Sequence, residues 1–261
     1  MQKAKSLKQR VIFLCAAVEL QKISLTATDH TAMLVSRRQE INARDAQEQH
    51  IAARLERGEK VVGLKLGGAL IPSHSDEKKY QTIFGYLTDV MQQHNELSLS
   101  DFIWPRAEGE VVFKLSRDIS ELISVEDAPK YVEAITVGAE FLDYRSSNPD
   151  PFIEEAIADN AGAAGFALGK WSPPELLNSN LMASIHEDGI CVTQGPVSSI
   201  FGNPWMAIVR ASELMVENNQ TLAKGSILFS SSATDGIPVQ AGKKYVIAIE
   251  SLGNIEIKAS K

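Results

Sequence analysis

After Val61 the sequence shows no alternation of strands with helices, and this constrains the fold more than any other feature. A doubly wound parallel sheet needs a helix between successive strands. Here "VVGLKLGGALI" at 61–71 opens a series of short apolar runs separated by turns, and one clear helix follows. "LMASIHEDGICVTQG" predicts a hairpin about Asp188-Gly189, and "KYVIAIESLGNIEIKA" predicts another about Gly253-Asn254. The helix lies in "GNPWMAIVRASELM". Asn203 can cap it, Pro204 suits its first position, and Trp205, Ile208, Ser212 and Met215 share a face. Upstream, residues 1 to about 58 read as helical, amphipathic and rich in Lys, Arg and Glu. Ile51, Ala52 and Leu55 continue an apolar stripe there, and Gly58 is its stop. The expected organisation is a helical N-terminal region, residues 1–58, followed by a strand-rich domain over 59–261.

Composition narrows the partners. A chain of 261 residues with 44% hydrophobic content is long enough to bury a sizeable core. Its formal net charge of −7 disfavours nucleic acid or an anionic membrane as the main partner. Cys15 and Cys191 are far apart in apolar settings and read as buried free thiols in a reducing, cytoplasmic compartment. His30, His50, His74, His94 and His186 have no ligand-like spacing, which argues against zinc. Lys3, Lys5, Lys8 and Arg10 precede "VIFLCAAV", a pattern that mimics a signal peptide. Leu7, Val11, Leu14, Cys15 and Val18 fall on one helical face, however, so an amphipathic helix is the preferred reading. No apolar stretch is long enough to span a membrane. The Walker A loop, the dinucleotide-binding glycine fingerprint, the nucleophile elbow and the H-E-x-x-H motif are all missing.

Several polar residues sit where a core is expected. In "PRAEGEVVFK", 105–114, strand alternation sends Glu108 and Glu110 to one face, close enough to raise each other's pKa. Either the pair is fully solvated or a cation lies between the two. A cage of carboxylates alone suits Mg²⁺ or Mn²⁺ and usually includes a third acid. "VGAEFLDYR" offers Glu140 inside another apolar run, followed by Asp143 and Arg145. In "GLKLG", Lys65 points the same way as Gly63 and Gly67. It is either an edge-strand lysine that blocks aggregation or an acid/base group with a ligand above it. Asp159 and Asn160 in "AIADNAG" form either a turn or a polar insertion into packed structure. The Ser-rich "SSSATDG" at 230–236 is either a polar loop or a pocket wall.

Taken in order, "GLKLG", "PRAEGEVVF", "AEFLDYR", "ADNAG", "FGNP" and a late "AG" before the last strand pair resemble the 2-oxopent-4-enoate hydratase / 4-oxalocrotonate decarboxylase family of the fumarylacetoacetate hydrolase superfamily. The resemblance spans roughly residues 50–258. It implies an α+β fold, a mixed β-sandwich or roll with a small helical N-terminal part. It also implies that Glu108, Glu110 and Glu140 bind Mg²⁺ or Mn²⁺, with Lys65 as the acid/base group and Asp159 lining the pocket or orienting water. Gly67, Asn160, Ser230 and Thr234 would contact the substrate, a small 2-oxo or 2-hydroxydienoic acid. The implied reaction is hydration of a 2-hydroxy-2,4-dienoate to a 4-hydroxy-2-oxoacid in the catabolism of aromatic rings. The alternatives are decarboxylation by the same site, or a non-catalytic partner subunit with this fold. A cytoplasmic homo-oligomer, associating with a related hydratase or decarboxylase, completes the expectation. The chain departs from the family pattern at Asn203, where the family has His, and at Ser230-Ser231, where it has Thr-Gly.

Overall fold

A computed structural model describes residues 27–71, 79–146 and 151–261. The amphipathic segment expected over Leu7–Val18, and with it Cys15, lies outside the described residues. Contacts divide the chain into Met1–Gln39 and Glu40–Lys261. Helix α1 (Ala27–Glu56) ends at a turn in which Gly58 takes φ +94, the left-handed stop expected of it. From Glu40 onward its buried line is Ala43, Gln47 and Ile51, one residue per turn. Leu55 is exposed, as is Ala52, so the stripe expected through those two runs along a different line.

The second unit holds two mixed sheets. The larger runs, in spatial order, β2 (Lys79–Thr88), β1 (Val61–Ile71), β9 (Ile227–Ser232), β4 (Arg106–Leu115), β5 (Val132–Leu142) and β6 (Ala163–Leu168). A two-residue β10 (Ile237–Pro238) pairs with the start of β4. The smaller sheet runs β3 (Glu96–Ser98), β12 (Gly253–Ser260), β11 (Lys244–Ile249), β7 (Met182–Glu187) and β8 (Ile190–Pro196). Two short helices, α2 (Ile153–Ala158) and α3 (Met206–Glu217), complete the main elements. This is the strand-rich α+β architecture expected, and most neighbouring strands are antiparallel.

Turn chemistry explains the joins. Asp188 and Gly189 both have positive φ, 49 and 86, as a two-residue hairpin turn of the mirror-image type requires. The last hairpin turns slightly earlier than expected, over Glu250–Leu252, with Ser251 in the left-handed region and Ile249 paired to Gly253. Asn203 accepts the Trp205 N–H through Oδ1 at 3.1 Å, and α3 begins directly after. Cys191 stands exposed on β8, an edge strand, rather than buried as its apolar neighbours suggested. Those neighbours, Ile190 and Val192, are exposed too.

The main core lies between the sheets. Ala107, Val111 and Phe113 of β4 and Val137, Ala139 and Phe141 of β5 pack in one cluster with Ile185, Tyr245, Ile247 and Ile257 of the smaller sheet. A Cβ on Gly109 would stand 3.3 Å from Ile247 Cγ2, so the sheets approach closely at that point. Alternation then sends Glu108, Glu110 and Glu140 to the opposite face.

Asn160 closes that far side. Fully buried, with φ 54, it accepts the Tyr86 N–H at 2.8 Å and donates to the Tyr86 carbonyl at 2.9 Å. Gln47 of α1 also reaches it, donating through Nε2 to Asn160 Oδ1 at 3.2 Å and to the Phe84 carbonyl at 2.8 Å. One amide side chain thus substitutes for a missing strand beside β2 and ties the helix to it. Asn160→Ala should strand the Tyr86 backbone groups and cost about 2–4 kcal/mol of stability. Urea unfolding of the two proteins side by side measures this.

Candidate metal centre and its pocket

Strand register brings the acids together. Glu108 of β4 lies directly opposite Glu140 of β5, and Glu110 lies opposite Gly138. Like charges directly opposite each other on a sheet are destabilising. Carboxylate oxygens of Glu108, Glu110 and Glu140 all lie within 4.8 Å of one another. Glu110 and Glu140 are fully buried, whereas Glu108 is half-buried on a cavity wall. Lys65 comes from β1, which reaches the group through β9, and its Nζ stands 2.9 Å from Glu140 Oε1. Glu110 Oε2 accepts the Ser231 N–H at 2.9 Å. Glu110 Oε1 and Glu140 Oε2 are buried without a donor among the described residues.

The electrostatics follow from this crowding. Burial, and then the Glu140 charge, push the Glu108 carboxyl up to about 7. Burial, with Glu140 and Glu108 next, holds Glu110 well above the usual carboxylate range. Burial alone would lower Lys65, but Glu140, Tyr144 and Glu108 outweigh it and keep the ammonium above its ordinary value. The bare protein therefore retains protons among these acids. Buried acceptors without donors, all of them oxygen, fit one hard divalent cation such as Mg²⁺ or Mn²⁺.

The other expected site residues divide into those near the acids and those that build the surroundings. Gly67 faces Lys65, and a Cβ there would approach its Nζ to 3.2 Å. Gly63 serves packing instead: a Cβ would fall 2.0 Å from the Ile227 carbonyl oxygen on β9. Thr234 Oγ1 accepts the Gly109 N–H at 3.0 Å, steadying the backbone between the two glutamates. Ser230 is buried and donates to the Ser231 carbonyl at 2.9 Å. Ser231 itself takes φ 89, the left-handed region in which a glycine is the easier residue. Asp159 is engaged by Arg145, accepting its backbone N–H at 2.6 Å and pairing with its guanidinium. Asn160 is spent on Tyr86 and Gln47.

A cavity of about 190 Å³ opens onto Glu108 and is lined also by Gly68, Tyr80, Arg106 and Tyr144, among others. The sequence reading did not single out Arg106 or Tyr144. Arg106 carried a readable signal, since it precedes Glu108 by two residues and strand alternation aims it the same way. Tyr144 lies beyond the end of β5, where alternation stops, and its placement depends on a distant turn. Gly162, at φ +67, leaves room for the Tyr144 ring, which a Cβ would meet at 3.0 Å. The Asp143 N–H donates to the Gly162 carbonyl at 2.9 Å, and Asp159 fixes Arg145 on the other side. The "ADNAG" turn therefore holds Tyr144 from both sides.

The model of the fumarylacetoacetate (FAA) hydrolase C-terminal family matches residues 42–258, and the chain belongs to that family. It is 30% identical over 220 residues to a 4-oxalocrotonate decarboxylase from a Pseudomonas species, covering 84% of this chain and 86% of the relative. It is 27% identical over 208 residues to a 2-hydroxyhexa-2,4-dienoate hydratase from Comamonas testosteroni, covering 77% and 79%. Among solved structures, the 4-oxalocrotonate decarboxylase from Pseudomonas putida G7, complexed with magnesium and adipate, superposes with a TM-score of 0.77. That match is 20% identical and covers 98% of this chain and 100% of that one. Similar in sequence or in fold, these relatives are hydratases and decarboxylases, both lyases.

The raised carboxyls give a signed prediction. A glutamate whose folded pKa exceeds its unfolded one stabilises the fold at low pH and loses that contribution as pH rises through the folded value. In EDTA the protein should lose thermal stability as pH rises from the ordinary glutamate range through about 7. Mg²⁺ should restore stability most at the alkaline end, where the ion no longer competes with protons. Melting curves across pH, with EDTA or Mg²⁺, test both statements.

Proposed function

We propose that this chain is a divalent-metal-dependent lyase that hydrates a 2-hydroxy-2,4-dienoate of the 2-oxopent-4-enoate type to a 4-hydroxy-2-oxoacid, in the cytoplasmic catabolism of aromatic rings. The convergence of Glu108, Glu110 and Glu140 on one point, with Lys65 Nζ beside them, carries this reading. The hydratases among its relatives support it. Glu108, Glu110 and Glu140 would hold Mg²⁺ or Mn²⁺, which when bound would supply Lewis acidity at the 2-oxo acid end of the substrate. Gly67 leaves space on β1 beside Lys65 for that end to enter. The Lys65 ammonium is the proton source at the chain carbons. Protonation at C5, with loss of the C2 hydroxyl proton, moves the alkene into conjugation with the ketone. Water then adds at C4, and a proton returns to C3. Asp159 and Gly162 act through Tyr144, by fixing the wall against which the chain lies, while Asn160 holds β2 in place. A homo-oligomer, able to associate with a related hydratase or decarboxylase, belongs to the same reading.

Decarboxylation is the second reading, favoured by the 30% identical relative. There the bond to a far carboxylate breaks, its electron pair passes through the alkene to the C2 oxygen, and CO₂ leaves. Incubation with Mg²⁺ and 2-hydroxypenta-2,4-dienoate, or with a 2-oxohex-3-enedioate, separates the two by product. Turnover of neither acid by a protein that binds the ion identifies a non-catalytic subunit and refutes the proposal. Lys65→Ala should slow turnover by roughly two to four orders of magnitude while metal binding persists. Near-full activity in that variant would remove the lysine from the mechanism.

A further inference from the structure

The two acid-bearing strands meet a second cavity at one end. Arg106, the first residue of β4, pairs with Leu142, the last residue of β5. The segment before β4 and the segment after β5 therefore leave the sheet side by side, as antiparallel pairing requires. The β10 segment joins them: Pro238 pairs with Arg106, and the Val239 N–H donates to the Pro105 carbonyl at 2.8 Å. These three segments enclose a cavity of about 630 Å³, lined mostly by apolar side chains, among them Phe102, Ile103, Trp104 and Val239. It shares Arg106, Leu142 and Tyr144 with the smaller cavity at Glu108.

Two of these side chains are more exposed than their type favours, Trp104 at 77% and Ile103 at 52%. Their backbone is nevertheless pinned. The buried Asp143 carboxylate accepts the N–H groups of both, each at 2.7 Å. Charge-assisted bonds of this kind are among the stronger ones. Asp143 itself stands between Leu142 and Tyr144, so one carboxylate ties the Ile103–Trp104 wall to the Tyr144 wall. An apolar surface held open in this way has met its ordering cost before any ligand arrives.

Volume sets what passes between the cavities. An apolar cavity of about 150 Å³ holds benzene, so the 190 Å³ at Glu108 takes little more than a 2-oxo acid head. Any chain extending past C5 has the larger cavity next to it. Arg106 lies where the two adjoin, with its Nη2 donating to the Gly236 carbonyl at 2.6 Å and its methylene stem free to line the passage.

We propose that the substrate is a 2-oxo monoacid, in its 2-hydroxydienoate form, whose alkyl or aryl tail beyond C5 lies in this larger cavity against Ile103 and Trp104. This deepens the functional reading above and rests on it. The competing occupant of the surface is a second copy of this chain, seated over Trp104.

Calorimetric binding in Mg²⁺ with pyruvate, 2-oxopentanoate and 2-oxodecanoate, beside sedimentation of the same protein, decides between them. The last two acids differ only in tail length, and neither carries an alkene to hydrate. The full chain should bind 2-oxodecanoate about 10- to 100-fold more tightly than 2-oxopentanoate, the gain from burying several methylenes less the cost of ordering them. Trp104→Ala should remove most of that ratio. Ile103→Glu, which sets a carboxylate on the apolar wall, should remove it too, and the exposure of both side chains keeps the core out of either change. Because the preference is a ratio within one protein, any change in metal affinity cancels. Equal binding of the two longer acids by the unaltered chain overturns the proposal, as does a ratio that survives either substitution. A dimer that Trp104→Ala dissociates, with no tail preference, gives the surface to a second copy and overturns it as well. Absence of Mg²⁺-dependent pyruvate binding overturns the functional reading, and this proposal with it. Pyruvate binding without a tail preference overturns this proposal alone.

Discussion

Repulsion among three buried carboxylates is the constraint around which the rest of the structure is arranged. Glu108 and Glu140 face each other across paired strands, and Glu110 completes the group. Nothing in a sheet favours this placement, because burial penalises each charge and proximity penalises them jointly. Lys65 offsets one charge at 2.9 Å, and the Ser231 N–H satisfies one oxygen. Rigidity does the remaining work. The strands that carry the acids are central in the larger sheet, and the smaller sheet backs them at Gly109. Strands supported this way cannot separate to relieve the repulsion, so a cation or bound protons must do it.

The surroundings show how a site of this kind is supplied with walls. The "ADNAG" turn does its work at a distance from the acids. Asp159 and Gly162 fix the segment that carries Tyr144, while Asn160 fixes β2 and receives Gln47 from the helix. Asp143 does the same for the loop before β4, accepting the N–H groups of Ile103 and Trp104, each at 2.7 Å. Asp159 and Asp143 each hold a backbone segment, and Tyr144, Ile103 and Trp104 on those segments line cavities.

Much of this is legible in the sequence where a period carries it. Alternation in 106–115 and 132–142 is enough to put Glu108, Glu110 and Glu140 on faces away from Val111, Val137 and Phe141. Asp188-Gly189 specifies its own turn, and Gly58 its own helix stop, because both need positive φ. What cannot be read locally is whatever another segment decides. Gly63 looks like space for a ligand, yet Ile227 of a strand more than 160 residues away occupies it. Cys191 sits among apolar residues, yet its strand lies at a sheet edge and carries them outward. Leu55 fits a helical stripe, yet the surface that meets the helix lies along Ala43, Gln47 and Ile51. In each case the pattern is real and the partner it needs is set by topology.

The pairing of Glu108 with Glu140 has a last consequence, for folding itself. A strand that slips by one residue turns every side chain to the opposite face. A slip of that kind between β4 and β5 would send one set of acids into the core between the sheets and leave the other facing apolar partners. An ion that needs all three carboxylates can be captured only by the chain whose hairpin has zipped in the correct alignment. On the proposed reading, ion capture would act as proofreading: it would add its free energy to the faithful pairing and withhold it from every misaligned one.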